Sequence, residues 1–292
     1  MIDVTPSPIA FSLGPLAVHW YGIAYAVGLA AVYLVIAHEA RWRSLDVDLL
    51  PGAMIVVGIA ALVGGRLYHV IDQWQIYKDD PLKIVLPPYS GLGVYGGIIA
   101  GTVTAYLYAR WKRQPFLDWA DAVAPGLFVM QAIARWGNFF NQELYGAPTN
   151  LPWGIAIQCA YRTQGYPCPP GSDPAATLGQ HFQPMFLYES LSGLVGALVL
   201  IWLARRLARR LRPGDLLLVF FIWYGSVRFV LESFKADNWI IFGVPTAQLI
   251  AGATVLGAAA ILAIRHLRQP ADPANSPGTH EAPTIAGQVA PD

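Results

Sequence analysis

The sequence predicts an all-α integral membrane protein with seven transmembrane helices, its N-terminus outside, its C-terminus cytoplasmic, and a long outer loop between helices 4 and 5. Three observations carry that expectation: a composition too apolar for a soluble domain, seven apolar runs of membrane-crossing length, and basic residues gathered on alternate connections. The chain is 55% hydrophobic and only 13% charged, which places it in the membrane class before any motif is read. Its ten tryptophans and fourteen tyrosines suit aromatic belts at the two lipid–water interfaces. A net charge of +1 carries no nucleic-acid signature, and the basic residues follow topology instead of forming a phosphate-backbone footprint.

A hydrocarbon core roughly 30 Å thick needs about 20 apolar residues to cross it. Such runs fall at about 17–38, 50–71, 91–109, 117–136, 185–204, 215–234 and 245–265. A soluble helical core would need amphipathic faces toward water, and these runs leave none. No basic n-region precedes the first run, so residues 1–16 are not read as a cleaved signal peptide. The connections after spans 1, 3, 5 and 7 hold "RWR", "RWKR", "RRLARRLR" and "RHLR", twelve basic residues against four on the other side, Lys78, Lys83, Arg162 and Lys235. The positive-inside rule sets the orientation from that asymmetry. Residues 1–268 read as one transmembrane domain with an outer loop at 138–184, and the Pro/Ala/Gly-rich stretch 269–292 as a disordered cytoplasmic tail. The loop contains "YPCPPGSDP", which argues for irregular backbone. A disulfide between Cys159 and Cys168, or two free thiols, are both open.

Three basic residues remain: Arg66, Arg135 and Arg228. All lie inside or at the end of apolar spans, where an arginine is costly and turns to a bundle interior or a wet cavity. Arg66 sits about five residues before the outer end of span 2, roughly 8 Å at 1.5 Å per residue. Arg228 sits about six residues before the outer end of span 6, and Arg135 at the outer end of span 4. One reading is three unrelated arginines snorkelling to the headgroups. The other is a shared anion pocket, because the guanidinium fork matches phosphate oxygens. At the outer leaflet the abundant anion with an apolar tail is a phospholipid.

Span 6 adds "YGSVRFVLE", with Tyr224, Arg228 and Glu232 at i, i+4 and i+8 on one polar stripe. An ion pair between Arg228 and Glu232 that serves only to keep the arginine compensated fits the stripe as well as a ligand site does. Span 3 carries Gly93, Gly97, Gly101, Ala105 and Ala109 at four-residue spacing, a stripe that lets membrane helices approach closely. A phosphate-cradling loop fits these glycines less well, because they follow a helix period. Tyr95, at the outer start of that helix, lies at the depth of the arginines.

The densest polar run is "ARWGNFFNQELYG" at 134–146, directly after an apolar span. Arg135, Asn138, Asn141 and Glu143 lie there with Gly137 and Gly146, which permit a turned backbone. The asparagines offer donor and acceptor for a glycerol hydroxyl or for orienting the arginine, and Glu143 could hold Arg135 by a charge-assisted bond. A helix-capping loop would account for one or two such residues, not for this run. The stretch resembles the signature of the prolipoprotein diacylglyceryl transferase family, G-R-x-G-N-F-x-N-x-E-x-x-G, with Ala134 in place of the leading glycine. "FSLGPLAVHWYG" at 11–22, "GGR" at 64–66, "LYES" at 187–190 and "YGSVRFVLESFK" at 224–235 are similar to that family in the same order. Two departures stand out: Tyr95 and Gln183 occupy places where family members commonly carry histidine.

The resemblance implies a bacterial inner-membrane enzyme that works near the outer leaflet without cofactor or metal. Its partners would be phosphatidylglycerol, the lipobox peptides of prolipoproteins and surrounding membrane lipids. It would move a diacylglyceryl group from the phospholipid to a cysteine thiol, forming a thioether and releasing glycerol phosphate. Arg135 and Arg228 would carry the charge work, with Tyr95 as a candidate base beside Glu143. Arg66, Asn138, Asn141, Glu143, Gly146 and Glu232 would position the headgroup and the arginines. Tyr21, in "VHWYG", and Tyr224 would meet the lipid or the incoming peptide. His19 and His69 read as packing or snorkelling residues. The rival reading is a membrane lipid-binding or lipid/anion transport protein that uses the same outer-leaflet arginine cluster, although no internal repeat accompanies it.

Overall fold

The computed structural model describes residues 1–84, 91–235 and 239–268, so the expected tail at 269–292 lies outside the described residues. The chain opens with an antiparallel hairpin, β1 (Ile9–Leu13) and β2 (Leu16–His19), and enters α1 (Trp20–Trp42) directly. Then follow α2 (Leu50–Asp72), the single turn α3 (Trp74–Tyr77), α4 (Val94–Trp111) and α5 (Phe116–Phe140). A segment with two paired strands, β3 (Ile155–Ala156) and β4 (His181–Phe182), leads to α6 (Met185–Arg206) and α7 (Asp215–Glu232). The hairpin β5 (Ile240–Ile241) and β6 (Val244–Pro245) precedes α8 (Thr246–Arg268).

Five of these helices are long and apolar enough to cross a membrane. The two other long helices, α4 and α7, have 18 residues each. Glycines dilute the apolar character of α4, and Asp215, Arg228 and Glu232 that of α7. The chain divides into two compact units, one of residues 40–119 and one of residues 1–39 with 120 onward.

In the smaller unit α2 and α4 pack so closely that backbone meets backbone: Gly93 N donates to Gly65 O at 2.8 Å. Gly97 lies against the Ala61 carbonyl and Gly101 against Ala61 and Val57, so the four-residue stripe is a packing seam. Gly64 and Gly96 face each other in the same seam, where a side chain on either would strike backbone.

The larger unit is tied at both ends by polar groups and in between by small-to-large packing. Phe128 of α5 lies against Gly196 of α6 and 4.5 Å, centroid to centroid, from Phe220 of α7. Ser190 Oγ donates to Ala132 O at 2.7 Å, which binds α6 to α5. At one end, the Asp121 carboxylate accepts from Gly214 N (2.8 Å) and Leu217 N (3.0 Å), capping the N-terminus of α7 where four amides lack helical partners. Asp215, fully buried, meets Arg265 at 3.3 Å and His266 at 2.7 Å from α8. Arg205 grips the buried Glu39 of α1 with two bonds of 2.6 and 3.0 Å. At the opposite end lie the start of α1, the C-termini of α5 and α7 and the N-terminus of α6, with the signature residues.

The segment between α5 and α6 packs Tyr145, Ile155, Ile157 and Phe182 into a core with Phe186 of α6. Cys159 and Cys168 form a disulfide within it. Its proline-rich part, around 166–174, lacks strands and helices as the composition suggests.

Candidate functional site

Arg135 and Asn138 sit three residues apart near the end of α5 and share a face. Beyond the helix the backbone turns sharply, with Gln142 (φ 52°) and Leu144 (φ 57°) in the left-handed region, which non-glycine residues seldom occupy. The turn is held by the buried Gln142 amide: Nε2 donates to Gln158 Oε1 (2.7 Å) and Pro6 O (3.2 Å), and Oε1 accepts from Gln158 N (3.0 Å). Strained backbone persists where its surroundings determine it this fully. Gly137 lets α5 approach the Tyr21 ring of α1, since a Cβ there would lie 2.9 Å from a ring carbon.

The centre of the site is Glu189 of α6, 1% exposed. Its Oε2 lies 2.6 Å from Arg135 Nε, and its Oε1 accepts from Arg228 Nη1 at 3.2 Å. Arg228 Nη2 reaches Glu232 Oε2 at 2.7 Å, one helical turn along α7. Two arginines from different helices therefore alternate with two buried carboxylates in one ion chain. The Arg228–Glu232 pair expected from the stripe on span 6 is present, and it extends into a network instead of closing on itself.

Glu143 does not take the place expected for it. The carboxylate that meets Arg135 is Glu189; Glu143 Oε1 accepts from Asn138 Nδ2 (2.8 Å) and Asn141 Nδ2 (3.3 Å). Asn138 then relays to the arginine, accepting from Arg135 Nη1 on Oδ1 at 3.3 Å. The short reach from the turn favours the amides, while the long guanidinium crosses to α6. Tyr21 hydrogen-bonds Asn138 and stacks on Tyr25 at 5.1 Å.

Gly146 anchors the far end of the turn. Its N donates to Gln183 O at 2.9 Å, the next amide, Ala147 N, donates to Phe234 O at 3.0 Å, and a Cβ on Gly146 would lie 3.0 Å from that same oxygen. The contact brings the residue after Phe234, Lys235, beside the ion chain. Tyr224, two turns before Glu232, stacks on Phe220 at 5.9 Å.

Arg66 and Tyr95 belong to the smaller unit and are described within it. Arg66 donates Nε to Ile84 O (3.1 Å), Nη1 to Gly91 O (3.2 Å) and Nη2 to Lys83 O (2.8 Å), and its guanidinium lies 5.2 Å from the Tyr77 ring centre. Those bonds tie together the two sides of the connection before α4. Tyr95 is 54% exposed, with its ring 6.1 Å from Tyr68. His69 packs edge-on to Tyr77 at 6.0 Å and against Gly91, as a packing residue would.

Seven of the expected site residues thus meet in one place: Tyr21, Arg135, Asn138, Asn141, Glu143, Arg228 and Glu232. Sequence reasoning did not assign Glu189 to the site, where its signal was a lone carboxylate early in an apolar span.

An ion chain of this kind, buried between α5, α6 and α7 in a chain with five helices able to cross a bilayer, defines a multi-pass membrane protein with an arginine–carboxylate centre. A family model described as "Prolipoprotein diacylglyceryl transferase" matches residues 8–264, and the chain belongs to that family. It is 34% identical over 284 residues to the phosphatidylglycerol–prolipoprotein diacylglyceryl transferase of Chloroflexus aggregans, covering 90% of each chain. The protein of the same name from Trichormus variabilis is 36% identical over 249 residues, covering 84% of this chain and 85% of the relative. That from Streptococcus equi subsp. zooepidemicus is 32% identical over 265 residues, covering 89% of this chain and 95% of the relative.

Proposed function

We propose that this protein transfers the diacylglyceryl group of phosphatidylglycerol to the lipobox cysteine of prolipoproteins, forming a thioether and releasing glycerol phosphate. The observation that carries the reading is the Arg135–Glu189–Arg228–Glu232 ion chain, in a chain of the diacylglyceryl transferase family. The reaction is a displacement at carbon: a thiolate attacks the glyceryl CH₂, and the C–O bond breaks with its electron pair on a phosphate oxygen. Arg135 and Arg228 are the catalytic cations that hold the phosphate and meet the charge that grows on it. Glu189 and Glu232 keep both guanidiniums oriented before the lipid arrives, so little reorganisation is left for the transition state. Cationic neighbours also lower a thiol from its usual pKa of about 8.5 and raise the thiolate fraction.

Asn138, Asn141 and Glu143 supply donors and acceptors for the glycerol hydroxyls, and Gly146 lets the end of their turn pack closely against Phe234 and Met185. Tyr21 and Tyr224 face the lipid or the incoming peptide. Arg66 fixes the connection leading into α4, and Tyr95, at the start of that helix, is a candidate proton acceptor. In this reading α4 and α7 also cross the membrane, giving seven spans, and residues 1–268 act as one transferase domain. The excess of basic residues on alternate connections supports an outside N-terminus, a cytoplasmic C-terminus and a site near the outer leaflet of the bacterial inner membrane.

The test is direct. Purified protein is incubated with phosphatidylglycerol and a lipobox peptide, and the diacylglyceryl mass on cysteine is followed alongside glycerol phosphate. Both appear with the native chain and both vanish in Arg135→Ala and Arg228→Ala. Full activity in either variant would remove the arginine clamp from the mechanism.

A further inference from the structure

Gln142 occupies a position that the family signature leaves open, yet it is buried and both ends of its amide are engaged. Nε2 places one hydrogen on Gln158 Oε1 (2.7 Å) and the other on Pro6 O (3.2 Å), and Oε1 accepts from Gln158 N (3.0 Å). Each partner is itself held. The residues before Pro6 pair with the segment after α5 through Ile2 N to Gly154 O (2.8 Å), Ala156 N to Ile2 O (3.0 Å) and His181 Nε2 to Asp3 Oδ1 (2.7 Å). Gln158 Nε2 donates to Ala175 O at 3.3 Å, and the next residue, Cys159, bonds Ala176 O through its amide and Cys168 through its sulfur. The turn is fastened to α6 as well, because Phe186 N, three residues before Glu189, donates to Leu144 O at 3.0 Å.

We propose that Gln142 is a positioning residue for the transfer: its amide holds the turn so that Glu143 aims Asn138 at Arg135, and so sets the direction of the Arg135 guanidinium toward the donor phosphate. The inference rests on the transferase reading for its reaction. Glu143 stands between two residues in the left-handed region, Gln142 (φ 52°) and Leu144 (φ 57°), a backbone that non-glycine residues leave when released. From Glu143 the path to the cation is short. Asn138 Nδ2 and Asn141 Nδ2 donate to Glu143 Oε1 at 2.8 and 3.3 Å, and Asn138 Oδ1 accepts from Arg135 Nη1 at 3.3 Å. When the turn relaxes, Arg135 keeps its charge and its 2.6 Å contact with Glu189, but loses the acceptor that fixes Nη1. Capture of the lipid by charge then survives, while alignment with the charge that grows on the leaving phosphate does not. The loss therefore falls on kcat and spares KM.

The experiment measures transfer from phosphatidylglycerol to a lipobox peptide in detergent for the native chain, Gln142→Gly, Gln158→Ala and the double variant. Glycine accepts a left-handed φ without strain, so Gln142→Gly removes the amide and leaves the backbone free to keep its turn. Its kcat should fall about tenfold or more while KM for phosphatidylglycerol stays within about threefold of native. Gln158→Ala removes the 2.7 Å partner from outside the signature and should lower kcat by about threefold. The double variant should be no slower than Gln142→Gly, because both changes act through one pair. Native kcat in Gln142→Gly overturns the proposal, and so does a loss confined to KM. Should Gln142→Gly fail to fold, Gln158→Ala decides: a lower kcat with faster hydrogen exchange at the Glu143 and Gly146 amides supports the proposal, and a native kcat overturns it. A native chain that makes no thioether removes the transferase reading; faster exchange of those two amides in Gln158→Ala then still shows that Gln142 holds the turn, and unchanged exchange shows that it does not.

Discussion

Glu189 joins the guanidiniums of α5 and α7, and its removal is the most informative single change at the site. Glu189→Ala leaves two guanidiniums facing a cavity in an apolar bundle, and breaking a buried ion pair costs about 3–5 kcal/mol. The variant should unfold at clearly lower temperature in detergent and lose transfer, whereas Glu189→Gln, which keeps shape and hydrogen bonding, should retain more stability than activity. Native activity in Glu189→Ala would mean the ion chain plays no part in the chemistry. Much of the site was legible in "ARWGNFFNQELYG", because so many polar residues at the end of an apolar span have few structural excuses. Which carboxylate meets which arginine was not legible, since Glu189 is 54 residues from Arg135 and only the packing of α6 on α5 brings them together.

Among the elements, the seam of α2 and α4 shows how a pattern becomes a contact. The four-residue spacing of Gly93, Gly97 and Gly101 announced close packing, but not the partner; that is supplied by Ala61, Gly65 and Tyr68 of α2. Gly96→Val should push the helices apart, because its side chain would strike the Gly64 carbonyl and the Tyr68 side chain. Gly58→Ala on α2 meets nothing within 4 Å and should be neutral or slightly stabilising through helix propensity. Thermal unfolding of both variants separates the cases, and a neutral Gly96→Val would show that the seam yields easily. The short hairpins escaped the all-α expectation because strands of two to five residues carry too little alternation to be seen beside apolar helices. The segment between α5 and α6 was readable as a long connection, but its small core was not, since Tyr145, Ile157 and Phe182 are scattered along it. Replacing Cys159 and Cys168 with serine removes a cross-link that chain-entropy arguments value at about 2–3 kcal/mol. Limited proteolysis should then cut this segment sooner while the helices stay intact, and unchanged cleavage would mean the core alone holds it.

At the scale of the whole molecule, the larger unit has one polar layer at each end and small-to-large apolar packing between. One layer is the arginine–carboxylate centre; the other joins Glu39 to Arg205, and Asp215 to Arg265 and His266. The basic residues that set the expected orientation include Arg205 and Arg265, so the positive-inside signal and the second layer share residues. In the proposed orientation these charges lie near the cytoplasmic headgroups, where they would serve topology and packing together. Orientation and span number can be tested together, because both sequence cysteines are joined in a disulfide and a single introduced thiol is a clean reporter. Asp79→Cys, Asn150→Cys and Trp239→Cys should react with a membrane-impermeant maleimide in right-side-out vesicles. Arg110→Cys and Arg209→Cys should react only after permeabilisation. Position 79 precedes α4 and 110 lies in its last turn, while 209 and 239 flank α7, the two helices whose composition alone does not settle a crossing. Labelling of both members of either pair from one side would remove that helix from the spans, and complete reversal of the pattern would place the arginine–carboxylate centre at the cytoplasmic face and overturn the proposed outer-leaflet site.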